Sequence, residues 1–461
     1  MKYQSICFLG KLSFACAMFA LSIVGCSKEE RAPAVYRSSS GAGVVAKTTV
    51  LATIADNDKP GTVDPASGNR PTFLVVFNNQ GKGVAYAAKI SNTLHVVHNG
   101  KVGRSVRNLD ALSISPDGRR VAYGADIDGK WRMVIDDKVG VLSDEVGEPV
   151  FSPDSRHIAY KSRAGEQWHM VVDNMTSAGC KGIDGKPVFS ADSHKIAYVE
   201  KTDDKGGFRL VISDLTMKSQ DVKEASGAQL LANAYKTRVA AVKAVGKKQR
   251  VIQFSFDQPD AVTEGLLYDA VSNLVFASDG VSLSYVGERE GKRFLVLSGR
   301  EAHLPDGNLP APPVVRPDGK GVGIIIAANG RYFLYQAFPG DGAKEKNVYD
   351  EAGDLTYSRD GSLHAYAARK GSNWFIVVNG KEGPAFDRVI KPLFSPDGKY
   401  LVYRARKDGK RFVVVADADG KILRQHAAYE QVFQPVFTAD GKSVAYGVKD
   451  GSKLIWKVEK L

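Results

Sequence analysis

Short apolar stretches alternate with tight polar turns along most of the chain. Residues 392–403 show the pattern, reading Pro-Leu-Phe-Ser-Pro-Asp-Gly-Lys-Tyr-Leu-Val-Tyr. This order predicts a short apolar strand, a turn at Pro396-Asp397-Gly398, and a second strand with alternating apolar positions. Asp hydrogen-bonds the backbone two residues on, and Gly adopts a positive φ without steric cost, so each suits the turn for its own reason.

The same unit recurs along the chain. The ten copies have their turns at positions 81, 118, 155, 193, 236, 280, 319, 361, 398 and 441, and the nine intervals between them average 40 residues. No helical periodicity lies between the turns. A single sheet of this kind cannot bury both of its faces alone, so the copies must pack side by side. The pattern therefore predicts an all-β fold, a β-propeller of four-stranded antiparallel blades.

The number of blades in one ring is left open by the repeats. Rings of four to eight blades are typical, so ten blades in one ring would be large. The copy at residues 228–260 is decayed, and the spacings around it are longer, at 43 and 44 residues. That copy could mark a seam between two smaller propellers. We expect one continuous ring.

The Phe-Ser-Pro-Asp-Gly-Lys and Val-Ala-Tyr elements resemble the WD-like repeats of TolB and of prolyl-oligopeptidase-type propellers. The resemblance covers roughly residues 70–461 and implies the fold, because the shared residues are turn and core positions. No Trp-Asp dipeptide ends the repeats, and the N-terminal domain of TolB has no counterpart here. The resemblance therefore implies no partner. A lipid-anchored propeller is also similar in architecture to BamB of outer-membrane assembly.

The first 25 residues have the features of a signal peptide, with Lys2 and Lys11 before a short apolar run. Residues 23–26, Ile-Val-Gly-Cys, resemble the lipobox of bacterial lipoproteins, which implies that Cys26 is acylated. Ser27 in place of Asp favours the outer membrane under the enterobacterial sorting rule. We expect the protein in the cell envelope, facing the periplasm or the cell surface. The alternative is an ordinary secreted protein with a chance cysteine at this point.

Residues 26–70 form a polar tether with one β-rich island at 44–54, and residues 71–461 form the propeller. The last repeat ends one strand short of a blade. Propellers commonly close their ring with a strand from the other terminus, so we predict that residues 44–54 supply it. The alternative is a tail with an accidental β-rich patch.

The chain lacks the common sequence signatures of catalysis and metal binding. It contains no Gly-x-Ser-x-Gly, no His-Glu-x-x-His and no Cys-x-x-Cys motif. Once Cys7 and Cys16 leave with the signal peptide and Cys26 is acylated, Cys180 is the single thiol left. We interpret it as a loop cysteine without a role, with a reactive thiol as the alternative. The sequence therefore predicts no enzyme, no cofactor and no metal.

The charge balance is basic, with a formal net charge of +12, or +10 once Lys2 and Lys11 are removed. Nucleic acid does not fit an exported lipoprotein. Lipid headgroups, anionic glycans or an acidic protein surface fit better, and a soluble surface with a modest excess of charge fits equally well.

The candidate binding residues follow from topology. Glu148, Lys186, Lys391 and Gln434 each precede a proline that opens the first strand of a repeat. Connections into first strands should share a face with the hairpins between second and third strands, so these four would surround the mouth of the central channel. The alternative is that they are solvated loop residues.

Two functions remain open from the sequence. The first is a membrane-anchored, non-catalytic scaffold of the bacterial envelope that binds another protein and has no small-molecule substrate. The second is a glycan-binding or glycan-processing propeller, which would require several carboxylates at equivalent positions around the channel mouth. The candidate positions hold one carboxylate, Glu148, and two lysines, which favours the scaffold function.

Overall fold

The computed structural model describes residues 47–54, 59–60, 62–63, 72–73, 75–78, 80–202, 207–218, 220–225, 230–233, 235–338 and 342–461. All of them belong to the unit Ser38–Leu461. Every regular element among these residues is a β-strand, and none is a helix. The predicted signal peptide and Cys26 lie outside the described residues.

The first half of the chain holds strands β1 (Lys47–Thr53), β2 (Lys59–Pro60), β3 (Thr62–Val63), β4 (Thr72–Phe73), β5 (Val75–Phe77), β6 (Val84–Ile90), β7 (Thr93–His98), β8 (Lys101–Val106), β9 (Asn108–Ile114), β10 (Val121–Ile127), β11 (Lys130–Ile135), β12 (Lys138–Val139), β13 (Glu145–Val146), β14 (Val150–Phe151), β15 (Ile158–Ala164), β16 (Gln167–Val172), β17 (Met175–Thr176), β18 (Gly182–Phe189), β19 (Lys195–Lys201), β20 (Phe208–Asp214) and β21 (Gln220–Ala225).

The second half holds β22 (Leu231–Ala232), β23 (Arg238–Val245), β24 (Lys248–Ser255), β25 (Thr263–Glu264), β26 (Ala270–Phe276), β27 (Leu283–Arg289), β28 (Lys292–Leu297), β29 (Arg300–His303), β30 (Val314–Val315), β31 (Val322–Ala328), β32 (Arg331–Ala337), β33 (Ala343–Lys344), β34 (Glu351–Tyr357), β35 (His364–Lys370), β36 (Asn373–Val378), β37 (Lys381–Glu382), β38 (Arg388–Phe394), β39 (Tyr400–Lys407), β40 (Lys410–Asp417), β41 (Ile422–Gln425), β42 (Gln431–Val432), β43 (Val436–Phe437), β44 (Ser443–Asp450) and β45 (Lys453–Lys460).

These strands form ten antiparallel four-stranded blades in one ring, so the predicted β-propeller is confirmed. Blades 2 and 4 to 9 each use four consecutive strands, from β9–β12 to β38–β41. In blades 1, 3 and 10 two short strands share the first position, and β3 and β4 form a separate small hairpin. The decayed repeat is blade 5 (β22–β25), and it is an ordinary member of the ring.

Ten hydrophobic clusters hold the ring together, and each joins two consecutive blades. The second strand of each blade contributes side chains to two of these clusters, because successive side chains of a strand point to opposite faces. In β35, Ala365 and Ala367 pack towards blade 9, whereas Tyr366 and Ala368 pack towards blade 7. This is why second strands begin with consecutive apolar residues rather than an alternating pattern, with polar residues such as Lys161 and Arg404 further along. Full burial of one large apolar side chain contributes about 1.5–3 kcal/mol.

The aromatic residues near the start of third strands also pack between blades. Trp374 is buried in the cluster between blades 8 and 9, and Trp168 packs against the cluster between blades 3 and 4. Trp131 and Phe208 occupy the same position in their own clusters. These aromatic side chains therefore contribute to packing between blades.

The ring closes through the N-terminal strand. β1 pairs antiparallel with β45, from Lys47 opposite Val458 to Thr53 opposite Lys453, and so becomes the fourth strand of blade 10. Ala52 and Ile54 are buried in the cluster between blades 10 and 1. This is the pairing that the sequence predicts for residues 44–54, of which 47–54 are described.

The Ser-Pro-Asp-Gly turn is held by its own side chains. Ser395 Oγ donates to Asp397 Oδ1 at 2.7 Å and accepts the backbone N–H of Tyr400 at 2.9 Å. Asp397 also accepts the N–H of Lys399 at 3.2 Å, and Gly398 has a φ of 72°. The recurring motif therefore encodes a self-contained hydrogen-bonded turn.

The strand directions give the ring two distinct faces. The turns between first and second strands lie with the hairpins between third and fourth strands on one side, the turn face; Asn99 Nδ2 in such a hairpin donates to Gly118 O at 3.0 Å. The hairpins between second and third strands and the connections between blades lie on the other side, the connection face. There the N–H of Gly165 donates to Asp144 Oδ2 at 2.7 Å.

Candidate functional site

The first strands surround the axis of the ring, and most of them are interrupted at mid-length. First strands of neighbouring blades contact each other, as β34 and β38 do. In blades 2, 4, 6, 8 and 9 the pairing of the first with the second strand skips residues at a bulge. In blades 1, 3 and 10 a gap between two short strands takes the place of the bulge. Bulges redirect side chains, and we call this position, next to the axis of the ring, the channel wall.

All four predicted residues lie at this interruption. Lys186 and Lys391 are inside β18 and β38, and Glu148 and Gln434 lie between the two short first strands of blades 3 and 10. Lys186 and Lys391 thus lie within first strands rather than in loops, whereas Glu148 and Gln434 lie between strands, and a place for all four at the channel mouth stays a prediction. The proline after each of them is buried, and a bulge tolerates a residue without an N–H. All four side chains are exposed.

Three further residues occupy the same position, and the sequence reasoning missed them. They are Ala111, Asn273 and Asp354. Each lies four residues before the residue that begins the turn, as Glu148 lies before Ser152 and Lys391 before Ser395. A fixed offset of four from the turn motif was therefore the available signal, and proline marked only some of the blades.

The channel-wall residues are linked to one another across blades. Lys186 Nζ of blade 4 lies 2.6 Å from Glu148 Oε1 of blade 3. Asp354 Oδ2 of blade 8 accepts the backbone N–H of Lys391 of blade 9 at 3.0 Å. Both carboxylates at this position are thus engaged by the next blade. An exposed ion pair such as Glu148–Lys186 contributes only about 0–1 kcal/mol, so it orients side chains more than it stabilises the ring.

Basic side chains of two second strands support the wall from behind. Lys161 Nζ donates to Ile183 O at 3.0 Å, and Arg404 Nη1 donates to Val432 O at 3.0 Å. Each acceptor lies just before the interruption in the next blade's first strand. Burial lowers the pKa of the Arg404 guanidinium, and the charge of Asp354 opposes that shift. These cations thus bind neighbouring first strands where the sheet pairing is interrupted.

A second repeated arrangement lies on the connection face. Asp144 lies 3.6 Å from Lys130 Nζ of the preceding blade while it accepts the N–H of Gly165 in its own blade. Asp350 does the same with Arg331 and with the N–H of Gly371. In both cases the backbone hydrogen bond is the main reason why the pKa of the carboxyl group is lowered. These carboxylates connect adjacent blades.

One cleft of about 310 Å³ opens on the turn face between blades 1 and 2. His98, Lys101, Arg119, Arg120 and Asp136 lie around it. Arg120 pairs with Asp136 at 2.8 Å, and burial lowers the pKa of His98. The cleft is a polar, mainly basic depression.

The thiol of Cys180 is half-buried, and two carbonyl oxygens lie within reach of its single proton. Sγ is 3.1 Å from Gly182 O and 3.3 Å from Trp168 O, and burial raises the pKa of the thiol to about 11. Such a thiol is a poor nucleophile at neutral pH. Within the described part of the chain, no group of three or more His, Cys, Asp or Glu side chains is placed to hold a metal ion. That same part contains no helix long and apolar enough to cross a membrane.

Comparison with known proteins returns solved structures of low sequence identity. Solved structures similar to this chain include a eukaryotic initiation factor, at 13% identity, a TM-score of 0.46 and coverage of 76% of this chain and 96% of that one. The Dos1 propeller is similar at 9% identity and a TM-score of 0.39, covering 90% and 94%. TolB from Acinetobacter baumannii is similar at 17% identity and a TM-score of 0.27, covering 62% and 81%. No family model and no curated protein matches the chain. The ten blades of the structure itself make the chain a β-propeller.

Proposed function

We propose that this chain is a lipid-anchored, non-catalytic scaffold of the bacterial cell envelope. Acylated Cys26 attaches it to the outer membrane, and residues 26–70 tether the ring. The ring presents the channel wall and the connection face to another envelope protein. Its partners are thus the membrane and one protein, with no nucleic acid and no small-molecule substrate.

The chemistry of the channel-wall position supports this proposal. Across seven blades the position holds two carboxylates, two lysines, two amides and one alanine, listed in chain order as Ala111, Glu148, Lys186, Asn273, Asp354, Lys391 and Gln434. Glycosidases use paired carboxylates at close range. Here Glu148 is bound by Lys186 and Asp354 by the backbone of Lys391. A set of mainly polar groups of mixed charge suits an irregular protein segment better than a sugar-cleaving pair.

The anchor is tested by metabolic labelling with a palmitate analogue. We expect label on the wild-type chain and none on Cys26→Ser, which should also leave the membrane fraction. Cys180→Ser is the matched control and should label as the wild type does. Absence of label from the wild type would refute the anchor.

The binding surface is tested by site-specific photo-crosslinking in cells. A crosslinker at Lys391 or Gln434 should give the same protein adduct, because both belong to one wall. Leu423 on the outer strand of blade 9 is a matched control; its side chain is 49% exposed, but it faces the rim. Adducts at Leu423 of equal yield, or different adducts at the two wall positions, would contradict the proposal.

The alternative is a glycan-binding or glycan-processing propeller, and Glu148 and Asp354 are the observation that favours it. It predicts that Glu148→Gln and Asp354→Asn abolish binding on an array of envelope glycans. The scaffold proposal predicts that the wild type shows no selective glycan binding in that assay.

A further inference from the structure

The point at which the chain enters the ring is fixed by the direction of β1. β45 starts at the hairpin after β44, on the connection face, and ends on the turn face, where the N–H of Leu461 donates to Lys442 O at 3.2 Å. β1 runs antiparallel to it, and Lys47 lies opposite Val458. β1 therefore begins on the turn face, at the outer edge of blade 10.

Lysine side chains surround this point on the turn face. We define the exit patch as Lys82, Lys101, Lys421, Lys442 and Lys460. Lys82 and Lys442 follow the glycines of the turns in blades 1 and 10, Lys101 and Lys421 lie in outer hairpins of blades 1 and 9, and Lys460 ends β45. All five are exposed. Among the described residues, none has a carboxylate partner within salt-bridge distance.

Three of the carboxylates near the exit patch are bound to their own turns or buried, whereas Asp419, two residues before Lys421, is exposed. Asp440 accepts Thr438 Oγ1 at 2.6 Å and the N–H of Lys442 at 3.1 Å. Asp417 accepts the N–H groups of Asp419 and Lys421, at 3.1 and 2.9 Å. Glu459 is buried and bonded to Tyr446 and Lys457. These acids lower the net charge of the patch, but the oxygens of Asp440, Asp417 and Glu459 are engaged within the fold, while the five lysine side chains are exposed.

We propose that the exit patch docks onto the surface of an anionic lipid bilayer. The orientation rests on the lipid anchor proposed above: the tether enters on the turn face, so the face that carries the lysines is the one held towards the membrane. Lysines near an anionic surface are attracted over roughly a Debye length, which is about 8–10 Å at physiological salt. The connection face then points away from the membrane, towards a partner.

The test uses the full chain without acylation, as Cys26→Ala, and sedimentation with lipid vesicles. We expect binding to vesicles containing about one third phosphatidylglycerol and none to pure phosphatidylcholine, with binding lost at about 0.5 M salt. Changing Lys82, Lys421, Lys442 and Lys460 together to Gln should weaken binding at least about tenfold.

A matched control removes the same charge from the opposite face. Lys247, Lys292, Lys410 and Lys453 are exposed in hairpins of the connection face, and their joint change to Gln should alter binding less than about twofold. Equal loss in both variants would mean that net charge alone drives binding, and unchanged binding in the exit-patch variant would mean that another surface docks; either overturns the proposal. Circular dichroism melting of both variants excludes unfolding as the cause. The vesicle assay needs no acyl chain, so its result is independent of the lipid anchor. If palmitate labelling fails while the protein still binds anionic vesicles selectively, only the anchor is refuted.

Discussion

Gly81 lies where the ring closes, and its replacement by alanine is the sharpest test of that closure. Gly81 has a φ of 66° in the turn of blade 1, and a Cβ placed there would lie 2.0 Å from Trp456 Cδ1 of blade 10. Trp456 is 6% exposed and packs against Phe77, with ring centroids 6.0 Å apart. The indole therefore has little room to withdraw.

Gly81→Ala should destabilise the protein by about 2–5 kcal/mol. About 1–2 kcal/mol comes from placing a side chain in the left-handed region, and about 1–3 kcal/mol from overpacking against Trp456. Gly100 is the matched control, because it has a φ of 81° and open space around a Cβ. Gly100→Ala should cost only the backbone strain, about 1–2 kcal/mol.

Two measurements test this prediction: the urea midpoint of unfolding, and the hydrogen-exchange rates of the backbone amides in β1 and β45. Gly81→Ala should lower the unfolding midpoint more than Gly100→Ala and should increase exchange first in these two strands. Equal midpoints for the two variants, or faster exchange spread evenly over the ring, would show that blades 10 and 1 do not pack as described.

Three further predictions concern other parts of the molecule. Ile54→Ala, at a 5% exposed side chain of the closing segment, should cost about 2–5 kcal/mol, whereas Val50→Ala, at 49% exposure, should cost far less in the same urea assay. Burial raises the pKa of Glu459, but hydrogen bonds from His426 and Tyr446 outweigh burial and lower the pKa to about 2. The ionised carboxylate therefore stabilises the fold above about pH 4.5, and this stabilisation is lost as the pH falls towards 2. Glu459→Gln should make the melting temperature less dependent on pH over this acid range. Cys180, with its pKa raised to about 11, should react with iodoacetamide at pH 7.5 at least about tenfold more slowly in the folded chain than in urea, as read by mass spectrometry of its peptide.

The repeat motif was sufficient to predict the fold because it encodes a local structure. Ser395, Asp397 and Gly398 complete the turn without help from distant residues. Burial on both faces of each second strand then requires neighbours on both sides. Local chemistry and patterning together therefore predicted blades in a ring.

The decayed repeat shows where that reasoning became uncertain. Blade 5 lacks the Ser-Pro-Asp sequence, but Asn233 takes the place of the serine and its Oδ1 accepts the N–H of Thr237 at 2.9 Å. Asn78 does the same in blade 1 with the N–H of Lys82 at 2.7 Å. An amide can thus replace the Ser–Asp pair, so the motif was lost while the turn was kept. Clusters on both sides of blade 5 exclude a seam there.

The candidate site was only partly predictable, because bulges follow from the pairing of two strands rather than from one residue type. Proline marked Glu148, Lys186, Lys391 and Gln434, since a bulge tolerates a residue without an N–H. Asn273 and Asp354 occupy the same bulge without a following proline. That they belong to the channel wall can be recognised only when the register between the first and second strands is known.

Ring size determines what the channel wall can do. In a small closed sheet the interior is filled by side chains, whereas larger ones enclose cavities or channels. Here Glu148 and Lys186 remain 46% and 61% exposed although they pair with each other, so the wall is solvated and its side chains are free to meet another molecule. The residues at turn and core positions recur because every blade must pack against its two neighbours in the same way. The wall position is under no such constraint, and its chemistry differs from blade to blade. Recognition by this protein is therefore expected at the positions where the repeats diverge, which is where substitution should change binding without changing the fold.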